Sequence, residues 1–361
     1  MTIKSSGSSL AFSEIEAEFG QNGIRSLGRY RANSIHFTNK TIGDLGRITE
    51  GGYLPLDDGI PREGQIAFSD FYGKRLNVVV NCVDGGTETR KNAKIDKWNN
   101  NNVMVVGGYR NKKEGGSKII IHVNKTFQSN AGDTATACAL RTGTWSSTAT
   151  LQVDIGGEGR CYGAGGKGGD GADGRSDFGP VTGSVGNGQD GSSALGIEHN
   201  GAVVNMMSGS KLIAGYGGGG GGQGGRQVDR GADRTACGGG GGGGAGSPPG
   251  AAGEGGARLS GGGDEVASGS DGGAGSETVG GGGGSGGNNH NEAIGATGGV
   301  GGDSEQAAGA GGSVYNGKNT YGGNGAAGQS GAAIRRTSGI TVTINTNGQT
   351  INGSTTATGV S

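Results

Sequence analysis

The sequence predicts a mostly β and irregular fold: a small N-terminal module, a β-strand domain, then a polyglycine-II helix lattice with displayed loops. Three observations carry this. Glycine supplies 91 of 361 residues, about a quarter against an average usage of about 7%. Of these, 68 lie between Gly156 and Gly331, so the composition changes abruptly along the chain. The stretch before them holds β-branched runs separated by Gly, Asn and Asp turns. The expected boundaries are 1–75 for the N-terminal module, 76–155 for the strand domain, 156–336 for the glycine-rich domain and 337–361 for a C-terminal strand segment.

The N-terminal module contains an internal echo. LAFSEIEAEFG (Leu10–Gly20) and IAFSDFYGK (Ile66–Lys74) share an apolar residue, Ala, Phe, Ser, an acid and a second apolar residue. Each reads as a short strand turning into a short helix. Ser13 is placed to cap the first, with Glu16 closing a capping box and Gly20 at the C′ position. Ser69, Asp70 and Gly73 repeat the start and stop signals. Phe12, Ile15, Phe19, Phe68, Phe71 and Tyr72 are expected to pack the two turns together, and the same six are the candidates for docking the module to a partner.

From Arg75 to Ile155 the runs RLNVVVNCV, NVMVVGGY, SKIIIHVNKTF and TATLQVDIGG read as strands. Trp98 and Trp145 are expected to cover the sheet. His122 alternates with Ile121 and Val123, which puts it on the polar face. The tail SGITVTINTNGQTINGS returns to strand-like alternation.

Three readings compete for residues 156–331. Collagen fails because the chain has five prolines and no strict Gly-X-Y register. A flexible linker is opposed by the spacing. Gly165, Gly168, Gly171 and Gly174 recur every three residues, as do Gly281, Gly284 and Gly287, then Gly295, Gly298 and Gly301, and Gly322, Gly325, Gly328 and Gly331. Three residues make one turn of an extended polyproline-II helix. Each row is therefore one face, and a glycine face lets another backbone approach closely. A strand at the surface of such a bundle keeps a third face for residues such as Lys167, Asp170 or Asn324. A strand surrounded by neighbours needs glycine on every face, so Gly217–Gly222 and Gly238–Gly244 are expected to be innermost. The segments between the runs become loops on a rigid scaffold, where binding residues concentrate.

The net charge of −1 gives no electrostatic case for nucleic acid or an anionic membrane. No apolar run approaches transmembrane length, and the first residues lack a signal peptide's apolar core, which predicts synthesis in the cytoplasm. Cys82, Cys138, Cys161 and Cys237 form no C-x-x-C and are expected to be free thiols, with no metal and no cofactor. GAGGKGG falls short of a phosphate-binding loop, because Gly168 stands where Ser or Thr should hold Mg²⁺. GGDGADGRS formally fits a calcium β-roll repeat with Asp173 in place, but as one copy with Arg175 at an apolar position. No catalytic constellation has supporting context, so the chain is expected not to be an enzyme.

The order YGAGGKGGDGADG, NGQDGSSALGI, GYGGGGGGQGG, CGGGGGGGAGSPPG and GAAIRRTSGITVTI resembles the polyglycine-II domain of tailed-phage receptor-binding adhesins at tail-fibre tips. SSLAFSEIEAEFG and GQIAFSDFYGK are similar to an N-terminal module of phage virion structural proteins. The resemblance implies a virion protein of the phage tail whose partners are other phage tail proteins and a bacterial surface receptor, an outer-membrane protein or a surface glycan. A homotrimer stands beside a monomer as an arrangement. The candidate receptor-contacting residues are Arg226, Asp229, Arg230, Asp233 and Arg234; Arg258, Asp264 and Glu265; Asn288 and His290; and Tyr315, Asn316, Lys318 and Tyr321. A virion decoration or head-fibre protein and a tail-spike polysaccharide depolymerase are the rival readings.

Overall fold

A computed structural model of the chain describes residues 3–19, 26–31, 59–61, 63–75, 77–82, 86–92, 103–106, 118–174, 185–229, 232–257, 266–289, 293–313, 320–321 and 323–361. The described residues are mostly β, with one α-helix and two short 3-10 turns.

The helix, α1, spans Phe12–Phe19, and Phe68–Phe71 form a 3-10 turn. The two echo segments share one device, and it differs from the expected cap. The Ala11 N–H donates to Glu14 Oε2 at 2.7 Å and the Ala67 N–H to Asp70 Oδ2 at 2.8 Å. Ser13 and Ser69 therefore fall inside the first turn, and Glu14 takes the role expected of Glu16. A carboxylate is the stronger acceptor and suits the positive end of a helix. That hydrogen bond, with Lys4 at 3.0 Å, holds the Glu14 carboxyl below its ordinary pKa. Gly73 stops the second turn with φ +69°; Gly20 lies outside the described residues. Ile15, Phe19 and Phe71 are buried together with Ile3, Tyr30 and Ile60.

From Val78 the chain winds into a solenoid. β1 (Val78–Cys82), β2 (Thr87–Thr89) and β3 (Lys91–Asn92) make a first turn, and β4 (Val103–Val106) lies antiparallel along β1. β5 (Lys118–Val123), β6 (Thr126–Gln128) and β7 (Cys138–Arg141) make the second. β8 (Thr150–Ile155), β9 (Arg160–Tyr162) and β10 (Ser193–Ile197) make the third. β11 (Ala202–Met206) and β12 (Lys211–Ile213) start the fourth. Six short strands follow in the glycine-rich region: β13 (Gly224–Asp229), β14 (Ala232–Ala236), β15 (Val266–Ala267), β16 (Asn288–Asn289), β17 (Ala293–Ile294) and β18 (Thr320–Tyr321). β19 (Ile334–Arg336) completes the fourth turn, and β20 (Val342–Asn345), β21 (Ile351–Asn352) and β22 (Ala357–Thr358) form a fifth. Three parallel sheets result: β1-β5-β8-β11-β20, β2-β6-β9-β12-β21 and β3-β7-β10-β19-β22. The chain builds a three-sided parallel β-helix. The boundaries drawn at 155 and 336 mark changes of composition, and the sheets run across them.

Registered turns stack like residues in columns. Val80, Ile121, Val153, Val204 and Ile344 form an inward apolar column. On the opposite face stand Asn81, His122, Asp154, Asn205 and Asn345. There Asn345 Nδ2 donates to Asn205 Oδ1, and Asn205 Nδ2 to Asp154 Oδ1, both at 2.7 Å. His122 thus takes the face expected of it, but it is 3% exposed rather than solvated. Burial pushes its pKa down to about 4, against the opposing pull of Asp154. Trp145 is buried, its indole N–H donating to the Thr142 carbonyl at 2.8 Å; Trp98 lies outside the described residues. All four cysteines are buried free thiols, and burial raises the Cys82 and Cys138 pKa to about 12.

The glycine-rich region enters as two excursions from one corner of the solenoid, the first between β9 and β10 and the second between β12 and β19. Extended segments run out over 164–174, 214–223, 250–257, 279–287 and 307–313, and back over 186–192, 237–247, 268–276, 294–303 and 323–333. In Gly217–Gly222 the N–H groups of residues 218 and 221 donate to Gln189 and Gly186, those of 219 and 222 to Gly242 and Gly239, and that of 220 to Gly309. The third-residue repeat also governs contact. A Cβ on Gly217 or Gly220 would collide with the carbonyl oxygens of Gly328 or Gly325. One on Gly218 or Gly221 would meet Lys167 or Asp170, and one on Gly219 or Gly222 would meet Gly299 or Ala296. The run therefore touches six segments. Gly238–Gly244 likewise touches six: 166–172, 216–222, 250–253, 270–276, 281–284 and 296–302. Both runs are buried throughout, the position expected of innermost strands.

Ala in place of Gly241 would drive Cβ into the Gly219 carbonyl, whereas the same probe at exposed Gly282 meets nothing within 4 Å. Overpacking costs about 1–3 kcal/mol or more. Gly241→Ala should lower the thermal midpoint by several degrees or prevent folding, and Gly282→Ala should leave it unchanged or slightly raised, as read by calorimetry.

Candidate functional site

The alternation of outgoing and returning segments decides where the loops go. The connections from Gly174 to 185, from Gln223 to Cys237, from Ala257 to Val266, from Gly287 to Ile294 and from Ser313 to Gly323 all leave from the end of the bundle away from the solenoid. The opposite end has tight turns. Asp303 Oδ1 accepts the N–H groups of Glu305 and Gln306 at 2.9 and 3.0 Å, and the Ser276 hydroxyl oxygen accepts that of Val279 at 2.9 Å. Burial pushes the Asp303 carboxyl upward, but its backbone donors, Glu305, Gly280 and Gln306, outweigh this and hold it below the ordinary value. One of these turns touches the solenoid, where Lys211 Nζ lies 3.4 Å from Glu277 Oε1.

At the far end the hairpin β13–β14 forms the centre of an apex sheet ordered β15-β14-β13-β18. The hairpin β16–β17 packs against β13 and β14. Segments distant in sequence are thereby gathered on one platform. Arg226 pairs with Thr235 and Gln227 with Arg234. Adjacent cross-strand pairs face opposite ways, so the two arginines lie on opposite faces of the hairpin. In the same ladder Val228 stands opposite Asp233 and Asp229 opposite Ala232. Arg226 and Arg234 are half-buried, and Asn288 is exposed opposite Ile294. Tyr321 pairs with Gly224. Arg230, Arg258, Asp264, Glu265, His290, Tyr315, Asn316 and Lys318 lie outside the described residues. Ile294, 45% exposed, is an apex residue that the sequence reading did not name. Its signal was a large apolar side chain where the surrounding glycines offer no core to join.

The flanks of the bundle use their polar side chains on the bundle itself. Asn187 Oδ1 and Asp190 Oδ1 accept the N–H groups of Ala326 and Gln329, and Ser193 Oγ that of Ala332, at 2.8, 2.8 and 2.9 Å. In return the Gly188, Gly191 and Ala194 N–H groups donate to the carbonyls of the same three residues. Asp170 and Asp173 treat Glu254 and Ala257 alike, at 2.9 and 2.8 Å, while Gly171 and Gly174 donate back. Each acceptor stands where a further strand's carbonyl would be, so an outer strand with one fewer neighbour keeps its hydrogen bonds. Lys167 pairs with Asp170 at 3.1 Å.

Of the six docking candidates in the N-terminal module, Ile15, Phe19 and Phe71 form its own core. Phe12 is half-buried and meets the ring of Phe68, itself 40% exposed, edge-on at 6.3 Å. The Tyr72 hydroxyl donates to the Ser8 carbonyl at 2.6 Å.

No family model matches this chain, and no curated protein matches it. A solved structure, the gp37–gp38 adhesin tip complex of the bacteriophage S16 long tail fiber, is similar to it at 18% identity and a TM-score of 0.34, over 95% of this chain and 96% of that one.

If the flank acids are backbone acceptors, Asp190→Ala should expose the Gln329 amide and cost about 0.5–1.5 kcal/mol. Asp190→Asn, which keeps an acceptor oxygen, should restore most of the loss. Amide hydrogen exchange at Gln329 reads both.

Proposed function

We propose that this chain is a non-enzymatic receptor-binding adhesin of a phage tail. In this reading its glycine segments are polyglycine-II helices, and its apex contacts the bacterial surface. One observation carries the reading: β13, β14 and β18, which bear Arg226, Asp229, Asp233, Arg234 and Tyr321, share one apex sheet at the end remote from the solenoid, and the hairpin β16–β17, which bears Asn288, packs against it. Loops held by a rigid scaffold are the usual place for recognition, and Arg and Tyr are favoured anchors. The period-three hydrogen bonds and side-chain-free contacts of Gly217–Gly222 support the polyglycine-II form. One chain supplies all six neighbours of each run, so the reading needs no second copy to close the bundle.

The N-terminal module is assigned to attachment, with Phe12, Phe68 and Tyr72 facing other tail proteins. The receptor is an outer-membrane protein or a surface glycan. The purified chain should compete with phage for adsorption to host cells. Arg226→Glu should weaken that competition about tenfold, equivalent to about 1.4 kcal/mol, while Lys211→Glu at the solenoid edge should leave it unchanged. Equal potency of the wild type and the Arg226 variant would remove the apex hairpin from the contact.

A further inference from the structure

Beyond β22 the residues Gly359, Val360 and Ser361 leave the fifth solenoid turn and cross the strands of the third sheet towards the second turn. The Gly359 N–H donates to the carbonyl of Arg336, in the fourth turn, at 3.0 Å. The Ser361 N–H donates to the Thr136 carbonyl at 3.2 Å and its hydroxyl to Thr136 Oγ1 at 2.7 Å. Thr136 precedes β7, in the second turn. The third turn lies between, and there Val360 sits over Gly196. A Cβ at Gly196 would stand 3.0 Å from Val360 Cγ1, 3.0 Å from Cys138 Sγ and 3.3 Å from Arg141 Cγ. The missing side chain makes the notch that Val360 fills. Beside it Arg335, buried to 8% exposure, donates from Nε to Ser193 Oγ at 2.9 Å and from Nη1 to the Thr358 carbonyl at 2.5 Å.

We propose that Gly359–Ser361 is a strap that locks the late solenoid turns to the early ones, and with them both re-entry points of the glycine bundle. Those re-entry strands are β10 and β19, and both lie along the strap's path. The architecture gives the strap a task. β19 can pair with β10 only after an excursion of about 120 residues has closed, and closing a loop that long carries an entropic cost. The two strands are joined over three registered pairs. Contacts that tie the fifth, fourth, third and second turns together oppose reopening at that seam.

Hydrogen exchange on the full chain tests this. Removing residues 359–361 deletes three hydrogen bonds. Exchange should accelerate at least about tenfold, the factor for 1.4 kcal/mol, at Ile334–Arg336 and at Gly325, Gly328 and Gly331. β5 and β8 should be unaffected. Val360→Ser, which empties the notch and leaves Gly196 untouched, should produce the same pattern at smaller size. Acceleration confined to residues 357–361 in both variants would overturn the proposal.

Discussion

The structure depends on one close approach: a backbone carbonyl oxygen resting where a side chain would otherwise begin. At almost every position of Gly217–Gly222 and Gly238–Gly244 the occupant of that space is another strand's carbonyl group. Glycine is required there for its absence of Cβ. The approach brings Cα–H groups against carbonyl oxygens, each contact contributing about 0.5–1 kcal/mol. It also lets successive N–H groups reach successive neighbours. Little hydrophobic burial is available, so cohesion is spread over hydrogen bonds and contacts that work only when all the segments are present together.

Such a bundle needs a starting plane, and the solenoid supplies it. Its interior is an ordinary apolar core of stacked Val, Ile and Leu. Its parallel turns deliver β9 and β12 side by side to the same corner. The first segments of both excursions therefore start in register, and the Asp, Asn and Ser staples finish the outer strands. Rigidity passes outward from core to bundle to apex, and the side-chain variety of the region gathers where the glycines end.

The bundle was legible because glycine there encodes contact directly: a row of period three is a face, and a pure run is a strand with no free face. The solenoid was not. Its strands are two to six residues long, and their alternation matches that of any half-buried sheet. Val342–Asn345 read as a strand, yet nothing local announced Ala202–Met206 as its partner. Asp170 read as a surface residue because a side chain that replaces a neighbour's carbonyl leaves no local mark. The helix start was misplaced because Ser13 and Glu14 both suit a cap, and the acid's reach back to Ala11 decided between them. The hairpin β13–β14 lies between the two glycine runs Gly217–Gly222 and Gly238–Gly244. That Arg226 and Arg234 point to opposite faces follows from the hairpin register, which the charge pattern alone does not give.

The glycine backbones nest in fixed register with different neighbours at successive residues. Scalar couplings across hydrogen bonds, measured by NMR on labelled protein, test it most directly. Couplings are expected from the amide of Gly218 to the carbonyl of Gln189, of Gly219 to Gly242, and of Gly220 to Gly309. Amides of residues 217–222 that exchange at random-coil rates, with no such couplings, would contradict it.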